Sequence, residues 1–275
     1  MSDPSRVGRA QPVANRSGPS PPDGNPWIRS FRPAPYAQVQ LLCFPHAGGS
    51  ASAFYWLSSA LGPQVQVRAV QYPGRQDRLR EPLIDDIGDL AAGVFEALLG
   101  YLPLVPAFFG HSMGAVVAFE VALRMEQRLG TPVPRLIASG RRAPSRRRDE
   151  NVHKSSDLEL IAEVQKLSGT HSEILNDEET RGTYLPIIRN DYRAIETYVA
   201  PREQTLSCPI TAFVGASDPR VTFDEAQAWE QHTNAGFQMR VFPGGHFYLN
   251  EQPAEIVASL REVLGVATAP LRREM

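Results

Sequence analysis

The chain has 275 residues, of which 42% are apolar and 21% are charged, a composition typical of a soluble globular protein. This length is enough for one large α/β domain with a substantial core. The formal charge of −2 offers no strongly basic face for nucleic acid, and no apolar run reaches the roughly 18 residues of a membrane span. We therefore expect neither a nucleic-acid nor a membrane partner.

The first 30 residues are rich in Pro, Ser, Gly and Asn and have almost no apolar side chains. Such a composition cannot offset the entropy of ordering, which predicts a flexible tail over 1–30 and a domain over 31–275. Trp27 and Phe31 are expected to mark where the chain first docks on that domain. Because this region also lacks the apolar core of a secretory signal, we expect a cytoplasmic protein.

Cys43 and Cys208 are the only cysteines, and both lie at the edges of apolar, strand-like segments. Two thiols form neither a disulfide framework nor a CxxC metal site. We expect both to be small core residues in a reducing compartment.

From residue 39 onward, strand-like segments alternate with helical patterns. The predicted strands are 39–44, 65–71, 106–111, 135–140, 209–215 and 238–244. The predicted helices are 52–61, 87–99, 115–129, 223–233 and 254–265. This alternation predicts βαβ units and therefore an α/β fold with a mostly parallel central sheet flanked by helices.

The alternation stops at about residues 146–204, where no segment has a convincing strand pattern. Helical patterns cover 158–167 and 183–199 instead, and the strand pattern resumes at residue 209. This block is therefore interpreted as a helical insertion between two strands of one sheet. Insertions at such a place commonly form lids over a site at the strand ends.

The strongest chemical signal is Gly110-His111-Ser112-Met113-Gly114, a GxSxG pattern between an apolar strand and a long helix. In this context the pattern is typical of a nucleophile elbow, in which a sharp turn lifts the serine hydroxyl above the sheet. The glycines keep the flanking positions small, and the following helix N-terminus favours developing negative charge. We predict that Ser112 is a nucleophile; the alternative is an incidental serine in a glycine-flanked turn.

A serine nucleophile needs a base, and the base needs an acid that orients it. His246 lies after a strand in the glycine-rich loop "FPGGHF", where a site at the top of the sheet requires its base. The other downstream histidines fit less well, because His232 is expected either on a solvated helix face or as a partner of the helix C-terminal dipole, and His153 and His171 belong to the insertion. We predict that His246 is the general base.

The predicted acid is Asp218, which follows a strand in "FVGASDPRV" at the same edge of the sheet as the base. Pro219 restricts the backbone next to it and helps to orient the carboxylate. Asp224 is interpreted as a helix N-cap, and Asp191 lies inside an insertion helix. The alternative for Asp218 is a simple Asp-Pro turn.

The stretch "CFPHAGGS" over residues 43–50 has four possible roles: a phosphate cradle, a metal site through His46, a plain turn or an oxyanion hole. It matches neither GxxxxGK[ST] nor GxGxxG, and one histidine is too few for a metal site. A tetrahedral intermediate needs two N–H donors. We predict the backbone N–H of Met113 as one donor, an N–H group of this loop as the other and His46 as structural, with no metal and no cofactor.

Taken together, the segments resemble the type II thioesterases of polyketide and nonribosomal peptide biosynthesis, which are α/β-hydrolases. The resemblance covers about residues 39–264. It rests on "LLCFPHAGGSASAFYWL", "VQYPGRQDRLRE", "FFGHSMGAVVAFEVA", "LIASGRRAP", "YLPIIRNDYRAIETY", "FVGASDPRV" and "FPGGHFYL". It implies an α/β-hydrolase fold with a helical lid. The family's active-site pattern falls on Ser112, Asp218 and His246, with oxyanion donors at Ala47 and Met113.

The resemblance also implies a function, which is the hydrolysis of acyl groups from the phosphopantetheine arm of an acyl or peptidyl carrier protein. Such hydrolysis clears stalled or mis-primed synthases, and we expect the enzyme to act as a monomer. Three alternatives stay open: a carboxylesterase or lipase that uses the same triad, a non-catalytic carrier-protein-binding chaperone, and an acyl-transfer or cyclisation enzyme.

Two arginine-rich segments have competing interpretations. The run "RRAPSRRR" over residues 141–148 is either a solvated loop or a docking site for an acidic carrier protein or the pantetheine phosphate. Arg75 and Arg78 either line the entrance to the site or form a structural ion pair with Glu81.

Overall fold

The computed structural model describes residues 24–99, 104–168, 177–200 and 203–266. Within these ranges one sheet contains the strands β1 (Ile28–Ser30), β2 (Val39–Phe44), β3 (Val65–Val70), β4 (Ala107–His111), β5 (Leu136–Ser139), β6 (Ile210–Gly215) and β7 (Phe237–Phe242). The strand order is β1-β3-β2-β4-β5-β6-β7. β1 pairs antiparallel with β3, and the other neighbouring pairs are parallel.

Helices connect these strands and cover the sheet. Those that the structure describes are α1 (Tyr55–Leu61), α2 (Ile87–Leu99), α3 (Met113–Leu129), α4 (Asp157–Ser168), α5 (Glu178–Thr197), α6 (Phe223–Gln227), α7 (Tyr248–Glu251) and α8 (Pro253–Val263). In this described part of the chain, no helix is both long and apolar enough to cross a membrane.

The alternation of side chains along β2 explains why helices cover both faces of the sheet. Leu42 and Phe44 pack with residues of α2 and α3 in one apolar cluster. Leu41 and Cys43 point the other way and pack with residues of α1 and α8 in a second cluster. Because both faces of this parallel sheet are buried, the predicted α/β fold with flanking helices is confirmed. The predicted burial of both cysteines is also confirmed.

One described strand lies within the predicted N-terminal tail. Residues 28–30, assigned to the tail, form β1 at the edge of the sheet. The cause is tertiary, because Ile28 is only 5% exposed and Trp27 packs against the same apolar cluster as α2. An edge strand paired this way also covers hydrogen-bonding groups of β3. The rest of the predicted tail, residues 1–23, lies outside the described residues.

Between β5 and β6 the described residues of the predicted insertion form α4, α5 and a short 3-10 helix, Val152–Lys154, with no strand up to residue 200. We call α4 and α5 the insertion helices. They pack on each other through the buried side chains of Leu160, Ile161, Leu185 and Ile188. The predicted helix over 223–233 is shorter as an α-helix, since α6 ends at Gln227 and continues as a 3-10 helix.

Candidate active site

Ser112 lies in the tight turn between β4 and α3. Its backbone has φ 54° and ψ −119°, a conformation that side-chain-bearing residues rarely adopt and that is often associated with functional sites. The turn depends on its flanking glycines. A Cβ on Gly110 would lie 2.5 Å from the backbone nitrogen of Ala115, so no larger residue fits without a shift. The local sequence therefore forms the strand–turn–helix geometry that the GxSxG pattern predicts.

His246 lies between Ser112 and Asp218 and is within hydrogen-bond distance of both. Its Nε2 is 3.0 Å from the Oγ of Ser112, and its Nδ1 is 2.9 Å from Oδ2 of Asp218. Both His246 and Asp218 are buried, with 4% and 8% of their surface exposed. Asp218 is further held by the backbone N–H of Arg220, which donates to its Oδ1 at 2.8 Å.

The sheet explains why residues far apart in the chain meet here. Ser112 follows β4, Asp218 follows β6 and His246 follows β7. These strands run parallel, so their carboxyl ends lie at one edge of the sheet, the usual position of sites in open α/β folds. The structure thus brings together the three side chains predicted from sequence. A nucleophile, a base and an orienting acid in this order can perform acyl transfer to and from the serine.

The two predicted oxyanion donors belong to backbone segments that touch each other. A Cβ on Gly114 would overlap the carbonyl of Phe44 and lie 2.6 Å from the carbonyl oxygen of Pro45. This glycine therefore lets the loop after β2 approach the N-terminus of α3. Within the described residues, neither the N–H of Ala47 nor that of Met113 donates a hydrogen bond to another protein group. Both donors are available for an oxygen atom beside the serine.

The loop that carries Ala47 is held by the second insertion helix, α5. The N–H of Gly48 donates to Oδ2 of Asp191 at 2.7 Å. The same carboxylate forms an ion pair with Arg75, and both side chains are almost fully buried. Asp191 lies inside an insertion helix, as expected, and its role as an anchor of the loop was not predicted from sequence. No local motif signals a pair separated by 116 residues.

A cavity of about 270 Å³ opens above the serine, just below the roughly 300–1,000 Å³ typical of ligand pockets. Its lining combines apolar side chains, most of them from the insertion helices, with the charged side chains of Arg141, Glu150, Glu196 and Arg220. The residues that line the cavity are His46, Ala47, Gly48, Ser112, Arg141, Glu150, Val164, Leu167, Tyr184, Ile188, Tyr192, Ile195, Glu196, Arg220, His246 and Phe247.

Two further histidines pack beside the site and are kept neutral. Burial, followed by the charges of His246 and Arg75, lowers the pKa of His46 to about 4. Burial also lowers the pKa of His111, whose Nδ1 is 2.9 Å from the Oγ of Ser139. The ring of His46 packs edge-on against that of His111. Both histidines therefore support the loops around the site as uncharged rings, which agrees with the predicted structural role of His46.

Two of the histidines that were not predicted to be the base have structural roles. His232 is fully buried, with its ring nitrogens 2.8 Å from Gln204 O and Ser145 Oγ, so the expected solvated position is wrong. Its helix packs inward because the adjoining Trp229 is buried in the core. The Nδ1 of His153 lies 2.5 Å from Oε2 of Glu196. His171 lies outside the described residues.

The predicted N-cap at Asp224 is also wrong. Thr222 caps α6, and its hydroxyl accepts a hydrogen bond from the N–H of Glu225 at 3.2 Å. The Glu225 carboxylate in turn accepts from the N–H of Thr222 at 2.9 Å, which completes a capping box. This arrangement wins because it satisfies two free N–H groups at the helix start with reciprocal bonds.

The arginine-rich segments are mostly structural. Arg78 forms the predicted ion pair with Glu81, with 2.5 Å between Nη2 and Oε2, whereas Arg75 pairs with Asp191 instead. In the run over residues 141–148, Arg142 pairs with Glu150 and Arg148 with Glu225, while Arg146 and Arg147 are exposed. In the described part of the chain, no group of three or more His, Cys, Asp or Glu side chains is placed to hold a metal ion.

Comparison with known proteins gives consistent matches over most of the chain. The family model described as "Thioesterase domain" matches residues 39–264. A probable cadicidin biosynthesis thioesterase from Streptomyces griseus is 45% identical over 238 residues, covering 86% of this chain and 66% of that protein. Thioesterase PikA5 from Streptomyces venezuelae is 45% identical over 247 residues, covering 88% of this chain and 86% of that protein.

A solved structure is equally similar. The structure of the type II thioesterase BorB from the borrelidin biosynthetic cluster matches with a TM-score of 0.80 and 48% sequence identity. The match covers 86% of this chain and 97% of that chain.

Proposed function

The chain belongs to the thioesterase domain family, and from this premise we propose that it hydrolyses acyl groups from the phosphopantetheine arm of acyl or peptidyl carrier proteins. The observation that supports this most directly is His246, which lies within hydrogen-bond distance of both Ser112 and Asp218 beneath a partly apolar cavity. Similar proteins are named as a type II thioesterase of a biosynthetic cluster and as a probable biosynthesis thioesterase, which supports a reaction in polyketide or nonribosomal peptide assembly.

Acylation of the serine is the first half of the proposed reaction. The Oγ of Ser112 attacks the thioester carbonyl carbon while Nε2 of His246 takes its proton. Asp218 keeps the imidazole oriented and stabilises its positive charge through Nδ1–H. The N–H groups of Ala47 and Met113 donate to the carbonyl oxygen as it becomes negative. The carbon–sulfur bond then breaks, and His246 returns the proton to the leaving thiolate of the pantetheine arm.

Hydrolysis of the acyl-enzyme is the second half. His246 takes a proton from a water molecule, and the resulting hydroxide attacks the acyl carbon. The carbon–oxygen bond to Ser112 breaks, the proton passes to its Oγ, and the free acid leaves. The serine is regenerated, so water is the only co-reactant. The insertion helices contribute the apolar wall that holds the acyl chain during both halves.

A direct test is to load a carrier protein with an acyl-phosphopantetheine arm and to measure release of the free acid by mass. We expect turnover by the wild-type protein, and we expect Ser112→Ala to abolish turnover while it still binds the loaded carrier. A wild-type protein that prefers the matching oxygen ester would instead support a carboxylesterase. A product without the added mass of water would indicate acyl transfer or cyclisation.

The same serine variant separates catalysis from a chaperone role. If Ser112→Ala retained the full effect of the wild-type protein on a stalled synthase, binding alone would explain the activity and the proposal would be wrong. The substitution removes a single oxygen atom, so we expect the fold to stay intact. Circular dichroism of the variant checks this.

A further inference from the structure

Arg141 extends from the end of β5 into the cavity above the serine. Its backbone position is fixed, because the indole N–H of Trp229 donates to the Arg141 carbonyl at 2.9 Å. Two residues earlier, Ser139 pairs with His111 of β4, which directly precedes Ser112. The side chain of Arg141 and the hydroxyl of Ser112 accordingly line one cavity.

The guanidinium of Arg141 has few partners. Within the described residues, its one hydrogen bond runs from Nη2 to the carbonyl of Ile195 at 3.5 Å, the outer limit for such a bond. Its Nε is buried and has no partner there, and no carboxylate of the described residues lies within 4.0 Å. A guanidinium has five N–H donors, so most of its donors are unused.

The neighbouring Arg142 and Arg220 differ from Arg141 because both pair with carboxylates, although the Nε of Arg142 is also buried without a partner among the described residues. Arg142 Nη2 lies 2.5 Å from Oε2 of Glu150. Arg220 bridges Oε1 of Glu150 at 3.2 Å and Oε1 of Glu163 at 2.6 Å. The acidic side chains nearest to Arg141 are thus already engaged by other cations.

Burial and crowding with another cation act on Arg141 without removing its charge at neutral pH. Burial, followed by the positive charge of Arg142, lowers the pKa of the Arg141 guanidinium to about 9. A buried polar group without a partner is unfavourable, and a bound oxygen atom would relieve that penalty. The site therefore favours a ligand that brings a hydrogen-bond acceptor within reach of the Arg141 guanidinium.

The acidic residues of the cavity limit what that acceptor is. Glu150 and Glu196 line the same cavity as Arg141, so a ligand carboxylate would be desolvated beside two carboxylates, even though other groups pair with both. A neutral keto or hydroxyl oxygen accepts from the guanidinium without that repulsion. Val164, Leu167 and Ile188 line the same cavity and suit the hydrocarbon part of the same acyl chain.

We propose that Arg141 binds a keto or hydroxyl oxygen on the acyl chain, so that the enzyme prefers oxygen-substituted acyl thioesters to saturated ones of equal length. This inference rests on the proposed thioesterase function. It names a substrate class within that function and a residue that selects it.

The test compares pantetheine thioesters of matched length: hexanoyl, 3-hydroxyhexanoyl, 5-oxohexanoyl and the carboxylate-bearing adipoyl. For the wild-type enzyme we expect kcat/KM for at least one of the two neutral oxygenated substrates to exceed that for hexanoyl by about tenfold. Arg141→Met, which keeps the apolar stem, should reduce this ratio about tenfold. Arg141→Gln retains neutral donors and should preserve part of the ratio. Arg147→Met is the control, since Arg147 is exposed on the same loop, and its ratio should equal that of the wild type.

A wild-type ratio near one, or an unchanged ratio in a folded Arg141→Met variant, would overturn the inference while leaving thioester hydrolysis intact. A wild-type preference for adipoyl over both neutral substrates would overturn it as well, because Arg141 would then select a carboxylate. If none of the four thioesters is hydrolysed, the proposed function fails and this inference fails with it.

Discussion

Asp191 of α5 accepts a hydrogen bond from the N–H of Gly48 at 2.7 Å and forms a buried ion pair with Arg75 through the same oxygen. Gly48 directly follows Ala47, the predicted oxyanion donor, so an insertion helix positions the loop that would stabilise the tetrahedral intermediate. The same helix lines the cavity through Tyr184 and Ile188. The proposed acyl-chain binding and the predicted oxyanion hole would therefore depend on one structural element.

Asp191→Asn should lower both the stability of the protein and its kcat. The substitution leaves Arg75 buried without a carboxylate, which costs about 3–5 kcal/mol in the free energy of unfolding when a buried ion pair is broken. Loss of the loop anchor should reduce kcat more than it changes KM, because an oxyanion donor acts mainly in the transition state. Urea unfolding and steady-state kinetics measure the two effects.

Asp85→Asn is the matched control, since Asp85 forms an exposed ion pair with Arg193 at 3.0 Å. Exposed pairs contribute roughly 0–1 kcal/mol, so this variant should unfold like the wild type. Equal effects of the two substitutions would contradict the anchoring role of Asp191.

Asp218→Asn should leave the fold intact and lower kcat by roughly ten-thousandfold, because an amide no longer fixes the required tautomer and charge of His246. The measurement is kcat on an acyl-pantetheine thioester. Asp224→Asn serves as the comparison, since Asp224 is exposed in α6 and is expected to have wild-type kcat. Comparable kcat values for both variants would exclude Asp218 as the orienting acid.

Gly114→Ala should strongly destabilise the protein or displace the loop after β2. The added methyl would overlap the carbonyl of Phe44, and neither backbone segment is free to move away. Overpacking of this kind typically costs about 1–3 kcal/mol, and more against rigid backbone. By contrast, nothing lies within 4 Å of a Cβ on Gly182, an exposed position in α5, so Gly182→Ala should stabilise by up to about 1 kcal/mol. Thermal unfolding of both variants decides the matter, and a harmless Gly114→Ala would disprove the close approach.

Acid should destabilise the protein between about pH 7 and pH 5 through its neutral histidines. Burial is the largest cause that lowers the pKa of His46, His111 and His232, with His46 at about 4. An unfolded histidine titrates near pH 6.5, so below that pH the unfolded chain binds protons that the folded chain does not. The contribution of these neutral histidines to the free energy of unfolding is fully present above pH 6.5. It decreases as the pH is lowered, by at most about 1.4 kcal/mol per pH unit for each histidine.

Urea unfolding at pH 7, 6 and 5 measures this slope. His232→Gln removes one of the three histidines, at a position away from the serine. The variant should lose less stability between pH 7 and pH 5 than the wild type. Equal stability of the wild type at these three pH values would refute the linkage.

Much of the fold follows from local patterns. The predicted strand over 39–44 and the helix over 87–99 agree with the structure at both ends, because apolar periodicity and strong helix signals act within a few residues. β1 was missed because three residues of a tail-like composition become a strand only by pairing with β3. The catalytic roles of Ser112, Asp218 and His246 stay predictions, although the structure places these side chains in hydrogen-bond contact.

By itself, the sequence determined the α/β alternation and the sharp turn at Ser112, since backbone sterics and glycine spacing act locally. It also indicated which loops end at the same edge of the sheet, because parallel strands carry their carboxyl ends together. Only the tertiary structure decided which charged groups pair. Arg75 joins Asp191 rather than Glu81, and Arg141 is left facing the cavity, because long-range packing determines which side chains are desolvated together.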